Sequence, residues 1–392
     1  MKKYIKLYNI SLKVSVIATA ICSGILVVLL NDIITYYQIK GTQEGLMSSM
    51  ISIGSLAALF TTIFLQGHFK KAKFIIVCGL LAATMMIVQG IPMSFPMFLI
   101  AGLLMGYGNG GTDSCQSSFI ADLNKEDTPR HMGAMHGIFG IGGVLTPIIL
   151  HTMLKYYQWR TIYIIVGIVC FLLIMQFAIV TRYLNSRVSV VSRTESNFSV
   201  SSIKKFISEK YIVLLLLSML FGAAAQSGVI VWTIRYVSIY LNSPDLSGIC
   251  LSVYWVACTV SRFCSPLLPW KPYQIITFGA IASAIIWALA LVINLPIVIF
   301  VACILVGLTS GSCIPMSISE GAAINREQTG MSTSMLMMFK SFGQILSPIV
   351  VAFIASRFDM QVGMLITAIF FGINGIFGIL MMHVKKSKII LA

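Results

Sequence analysis

The chain has 392 residues, of which 58% are hydrophobic and only 10% charged. Soluble domains carry about 25% charged residues, so this composition cannot clothe a water-soluble surface and points to a polytopic membrane protein. The formal charge of +15, from 27 basic against 12 acidic residues, suggests a nucleic-acid partner only until the charges are located.

A helix needs about 20 apolar residues to cross about 30 Å of hydrocarbon. Charge-free runs predict twelve spans: 11–36, 44–66, 74–91, 96–121, 133–155, 160–183, 211–240, 246–268, 273–293, 297–319, 329–356 and 361–384. Two longer runs are divided by Pro and Gly, near Gln89–Pro96 and near Asn294–Pro296. The basic start, Met1-Lys2-Lys3, is followed by no small-residue cleavage site and reads as a retained first helix. Trp159 and Trp270 stand beside span ends and read as interfacial anchors. The polar, Ser- and Lys-rich stretch between spans six and seven predicts an organisation of 1–183, a linker loop 184–210, and 211–392.

The basic residues test the topology. With both termini in the cytoplasm, inner segments hold 19 Lys and Arg and outer segments hold Lys40, Lys155, Arg160 and Arg357. That bias obeys the positive-inside rule. The positive charge is therefore a topology signal, and no nucleic-acid partner is expected. All nine cysteines lie in apolar stretches without metal-ligand spacing, so neither a metal nor a cofactor is expected.

Three echoes recur at nearly one offset. Gly102-Leu-Leu-Met-Gly106 returns as Gly307-Leu-Thr-Ser-Gly311, Asn124-Lys-Glu126 as Asn325-Arg-Glu327, and Phe139-Gly140…Pro147 as Phe342-Gly343…Pro348. They predict two parallel six-helix repeats, an arrangement typical of alternating-access transporters with a site at the repeat interface. The fold expected is all-α, with twelve transmembrane helices in two pseudo-symmetric six-helix bundles.

Six plus six helices around a basic central loop resemble the major facilitator superfamily. Finer motifs resemble its fucose permease family of sugar–proton symporters. They are Leu30-Asn31-Asp32-Ile33-Ile34 in span one, Gly106-Tyr-Gly108-Asn-Gly110-Gly-Thr-Asp113 in span four, and His136-Gly137-Ile-Phe139-Gly140-Ile-Gly142-Gly143 in span five. Trp232 and Tyr236 in span seven, and Tyr254-Trp255…Ser261-Arg262 in span eight, are similar to family patterns as well. The chain departs from them at Ser117, where the family has Asn, and at Gln226, where an acid is frequent. The loop Gln66-Gly-His-Phe-Lys-Lys71-Ala-Lys73 keeps the superfamily's cations and lacks its Asp. The resemblance implies a monomer in a bacterial-type inner membrane, with a small-molecule substrate, protons and the lipid bilayer as partners.

Carboxylates in apolar spans are expensive and usually functional. Asp32 and Asp113 are the candidates for proton coupling, although Asp32 near a span end also fits an interfacial residue. Asn109, Asp113 and Gln116 fall at i, i+4 and i+7 on one helix face, a set able to hold sugar hydroxyls together with Asn31. Arg235 and Lys340 either bind an anionic substrate group or neutralise Asp32 and Asp113, and Gln344 lies one turn beyond Lys340. Arg262 reads as a gating or snorkelling residue. Trp232 and Trp255 are suited to stacking on a sugar, His136 to a proton relay, and Gln226 replaces the family's acid. An enzyme would need a clustered nucleophile or metal-binding acids. Asp122, Glu126 and Asp127 form the one candidate cluster and read as a solvated helix end. No phosphate-binding GxxxxGK[ST] motif is present. The leading expectation is proton-coupled uptake of a sugar or sugar acid by alternating access; the alternative is a proton-coupled exporter of a drug or metallophore on the same fold.

Overall fold

Proline sets where several long helices begin. Pro96, Pro244, Pro272 and Pro296 stand in first turns, where a missing N–H leaves no bond unmade and φ is already helical. In the computed structural model, which describes residues 2–39, 42–64, 69–184 and 200–390, the chain forms fourteen α-helices. They are α1 (Lys2–Tyr37), α2 (Thr42–Phe64), α3 (Lys71–Gln89), α4 (Phe95–Leu123), α5 (Thr128–Leu154), α6 (Trp159–Leu184) and α7 (Val200–Ser208). Then follow α8 (Lys210–Arg235), α9 (Pro244–Cys264), α10 (Pro272–Ile293), α11 (Pro296–Ser310), α12 (Cys313–Ile324), α13 (Thr329–Arg357) and α14 (Met360–Ile390). A π-helical turn, Tyr236–Tyr240, extends α8. Residues 185–199 of the expected linker and 66–68 of the loop before α3 lie outside the described residues.

Every expected span falls on a helix, and the predicted breaks are where Pro and Gly put them. Four boundaries differ by several residues: α5 begins at Thr128 rather than 133 and α14 ends at Ile390 rather than 384, and two others differ more. The first helix begins at Lys2 rather than near residue 11, since no Gly or Pro stops it from extending beyond the apolar run. The tenth span, expected as one helix over 297–319, is two: α11 ends at Ser310 and α12 begins at Cys313. Eleven segments among the described residues are long and apolar enough to cross a membrane. The twelfth, α4, has the length but is diluted by Gly, Asn, Asp, Gln and Ser.

The chain divides into two compact units. Unit 1 comprises Met1–Glu126, Ile138–Phe198 and Asn325–Ser334; unit 2 comprises Asp127–Gly137, Ser199–Ile324 and Met335–Ala392. The first turns of α13 thus belong to unit 1, and the first turns of α5 to unit 2.

In unit 1, α4 packs between α2 and α3. Lipid offers no hydrophobic drive for helix association, so small residues that admit close backbone contact have to supply it. A Cβ on Gly108 would sit 2.5 Å from the Cys78 carbonyl oxygen and 2.7 Å from the Ala82 nitrogen; one on Gly110 would sit 2.8 Å from Ser55 Cα. Tyr37, Phe98, Trp159 and Tyr163 close one end of the unit as an aromatic cluster. Trp159 is therefore a core residue, 7% exposed, rather than the expected interfacial anchor; Trp270 is half exposed.

In unit 2, α10 and α8 both pack on α14, and polar side chains join them to it. Trp287 Nε1 donates to Thr367 Oγ1 at 2.7 Å, and Ser218 Oγ to Asn374 Oδ1 at 2.6 Å. Asn294 closes α10 in the left-handed region at φ 57° and accepts the Tyr236 hydroxyl at 2.5 Å. Leu172 on α6, Val292 on α10 and Phe353 on α13 stay largely uncovered by protein, as lipid-facing residues must.

Replacing Gly108 by Val should force α4 away from α3. Overpacking of this kind costs about 1–3 kcal/mol, so the melting temperature of detergent-purified Gly108→Val should fall by several degrees in a size-exclusion thermostability assay. An unchanged melting temperature would contradict the tight α3–α4 seam.

Candidate functional site

The candidate residues of unit 1 lie along α1 and α4. Ser15, Thr19 and Ser23 recur every four residues on α1 and so share a face. Two of the predicted α4 residues hydrogen-bond to that stripe. Asn109 Nδ2 donates to Ser23 Oγ at 3.0 Å, Gln116 Nε2 donates to Ser15 Oγ at 2.9 Å, and Thr19 Oγ1 donates to Gln116 Oε1 at 3.1 Å. Gln116 is fully buried and both ends of its amide are engaged. Asp113 sits between these two residues on the same α4 face and is half-buried. Beside Gln116, the buried Ser117 hydroxyl has no hydrogen-bond partner among the described residues. Asn31 and Asp32 are exposed near the end of α1. One turn on, Tyr36 lies beneath the Arg160 guanidinium at 3.8 Å from its ring centre.

In unit 2 the organising feature is the break between α11 and α12. Pro315 has no N–H to give the carbonyl four residues back, which is that of Gly311. Arg262 supplies the missing donor: its Nε reaches the Gly311 oxygen at 3.1 Å, and its Nη1 reaches the His136 backbone oxygen at 3.2 Å. Gln226 Nε2 donates to the neighbouring Ser310 carbonyl at 2.8 Å. The same logic recurs on α13. Pro348 orphans the Gln344 carbonyl, and Ser227 Oγ donates to it at 3.0 Å. Arg262 is only 6% exposed, so the expectation of snorkelling is corrected: its charge is held inside by carbonyl oxygens.

The remaining unit 2 candidates lie on α8, α9 and α13. Trp255 lies 5.9 Å from the Arg262 guanidinium carbon, and Trp232 lies 5.9 Å from that of the exposed Arg235. The Trp232 indole N–H is buried and has no hydrogen-bond partner among the described residues, and neither has His136 Nε2. Lys340 is half-buried on α13 with Nζ 3.6 Å from Met337 Sδ, and the Gln344 side chain is exposed. The structure thus gathers Asn109, Asp113 and Gln116 in unit 1. In unit 2 it gathers Gln226, Trp255 and His136 around Arg262 and the helix break. Asn31 and Asp32 stand apart at one end of α1.

Two charged clusters were not anticipated. Asp122, expected on a solvated helix end, is instead paired with Lys71 at 2.6 Å, with both side chains less than a fifth exposed. Thr329 Oγ1 donates to the same carboxylate at 2.8 Å. Lys71, at the start of α3, thus finds an acid at the end of α4. In unit 2, Glu320 is 3% exposed and accepts from Lys385 at 2.5 Å and from the Tyr211 hydroxyl at 2.7 Å. Among the described residues no group of His, Cys, Asp or Glu could hold a metal ion.

Comparison with known proteins bears on the whole assembly. The sequence profile described as Major Facilitator Superfamily matches residues 14–322. The chain is 19% identical over 319 residues to the glucose/mannose transporter GlcP of Bacillus subtilis, covering 80% of this chain and 76% of that one. It is 25% identical over 138 residues to Bypass of stop codon protein 6 of Saccharomyces cerevisiae, a match that spans 28% of the yeast protein. The crystal structure of the fucose:proton symporter FucP of E. coli superposes with a TM-score of 0.78 at 15% identity, over 96% of this chain and 99% of that one, a likeness of fold.

The helix break makes a specific prediction. Removing a donor from a buried carbonyl costs about 1–3 kcal/mol, so Arg262→Met should destabilise the protein. Pro315→Ala restores the N–H that Gly311 lacks and should recover part of the loss in the double variant. Thermal melts of the two single variants and the double variant check this, and strictly additive losses would show that Arg262 does not serve the proline break.

Proposed function

The chain belongs to the Major Facilitator Superfamily and is a multi-pass membrane transporter rather than an enzyme; we propose that it takes up a small polar solute, a sugar or sugar acid, in symport with protons. The observation that carries this reading is Asp113. It is a half-buried carboxylate on α4, one turn from each of two carboxamides that are tied to α1. An ionised carboxylate inside a membrane span is costly, and protonation relieves that cost. Asn109 and Gln116 hold the backbone around Asp113 in place through α1, so a change in its charge alters a fixed surface. Symport then follows if the solute enters only when Asp113 is protonated and the empty transporter resets only in one charge state. Asp32 is the second carboxylate proposed for coupling.

Sugar recognition is supported by Trp232, whose buried indole N–H has no hydrogen-bond partner among the described residues, and by Trp255; both offer a broad ring face and a donor. GlcP and FucP, named for glucose, mannose and fucose transport, agree with that class. Lys340 and Arg235 are the cations able to meet an anionic group, so a sugar acid is proposed alongside a neutral sugar. The 19-to-4 division of basic residues supports an inner-membrane protein with both termini in the cytoplasm, working as two bundles, 1–183 and 211–392, joined by 184–210.

Proteoliposomes with an imposed pH gradient test the reading against labelled neutral sugars and sugar acids. Wild type should accumulate one class above equilibrium, and Asp113→Asn should lose accumulation while remaining folded. Lys340→Met should weaken binding of a sugar acid at least tenfold, about 1.4 kcal/mol, and leave a neutral sugar unaffected. Accumulation by Asp113→Asn equal to wild type would remove Asp113 from the coupling, and gradient-driven efflux without uptake would favour an exporter.

A further inference from the structure

The polar stripe on α1 leaves the opposite side of that helix without an internal role. Ile17 is about 200° around the helix from Ser15, and it begins a different surface. Lys6, Ile10, Lys13, Ile17 and Ile21 follow one another at three- and four-residue steps down this face. Across from it, Ile138, Ile141, Leu145 and Ile149 form the matching stripe of α5. The two helices approach closely at two points behind these side chains. A Cβ on Gly142 would lie 2.6 Å from Ala20 Cβ, and one on Gly24 would lie 3.4 Å from Thr146 Cγ2. The bulky side chains diverge in front of those points and leave a groove of about 470 Å³ inside unit 1.

Its chemistry is one-sided. The lining is aliphatic except for Thr146 and Lys13, and among these lining residues only Lys13 carries charge. The lining covers twelve residues of each helix, 10–21 and 138–149, and the Ala20–Gly142 and Gly24–Thr146 contacts stagger the two by about six residues, so the slot is roughly 25 Å long. Lys13 immediately precedes the apolar run of α1, and the exposed Lys6 lies two turns before it. An apolar slot about as long as an extended acyl chain, with cations at the end where headgroups lie, is complementary to an anionic amphiphile.

We propose that the α1–α5 groove binds one acyl chain of an anionic glycerophospholipid, with the phosphate held at Lys13 and Lys6. The lipid fills the slot that the Ala20–Gly142 contact leaves in front of it. It thereby supports α5, a helix with Pro147 in its interior, whose Ile141, Leu145 and Ile149 are about half exposed.

Native mass spectrometry of the full-length protein, released from detergent and titrated with phosphatidylglycerol or phosphatidylcholine, tests the site. Wild type should retain a single phosphatidylglycerol in preference to phosphatidylcholine. Ile141→Trp fills the groove at an exposed position and should lower retention of both lipids about tenfold. Lys13→Gln should lower retention of phosphatidylglycerol alone, about fivefold. Leu172→Trp, on the lipid-facing side of α6, should change neither and controls for a general effect of added bulk. Equal retention of both lipids by wild type, an unchanged Ile141→Trp, or an equal loss in Leu172→Trp would each overturn the site in favour of unspecific annular lipid. Free fatty acid bound as tightly as phosphatidylglycerol would overturn the phospholipid assignment.

Discussion

Inside hydrocarbon no water is available to a stray carbonyl or N–H, so each backbone group must find its partner within the protein. That constraint explains the most unusual arrangement in unit 2. Two prolines, Pro315 and Pro348, each cancel one helical bond, and the chain answers each with a side chain from another helix. Arg262 serves Gly311 and Ser227 serves Gln344. A charged guanidinium is a costly residue to bury. Here two carbonyl oxygens and the nearby Trp255 ring surround it, which makes burial tolerable and joins α9 to the break in the tenth span.

Unit 1 meets the same constraint by other means. Its α4 carries Asn, Asp, Gln and Ser within the span, and several of these side chains are spent on other parts of unit 1 rather than left in lipid. Asn109 and Gln116 are fastened to serines and a threonine, and Asp122 is fastened to Lys71 and Thr329. On that helix face Asp113 stands between the two fastened carboxamides. That polar frame is the support for the coupling role proposed for Asp113.

Much of this was legible in the residues. Runs of apolar side chains located every span, and Pro and Gly located the loops inside the two long runs. The spacing of Asn109, Asp113 and Gln116 correctly put them on one face. It did not say what that face touches, because the partner stripe Ser15, Thr19 and Ser23 lies nearly a hundred residues away. The four-residue spacing of that stripe was the available signal. Asp122 was misread for a similar reason: its neighbours in sequence are charged and solvated, whereas its partners Lys71 and Thr329 come from distant segments. Trp159 was misread as an anchor because a Trp beside a span end looks alike whether it faces headgroups or an aromatic cluster. The broken tenth span was foreshadowed by Pro315 following Gly311 at the distance where a proline cancels a bond, but the donor that repairs it cannot be read from local sequence.

The central claim is that solute and proton move together through a transporter whose proton carrier is Asp113. The most direct measurement is the pH of a lightly buffered, de-energised cell suspension when the solute is added. Wild type should alkalinise the medium as protons enter with the solute, and Asp113→Asn, present in the membrane at equal amount, should leave the pH flat. A persistent alkaline shift in Asp113→Asn would contradict the account.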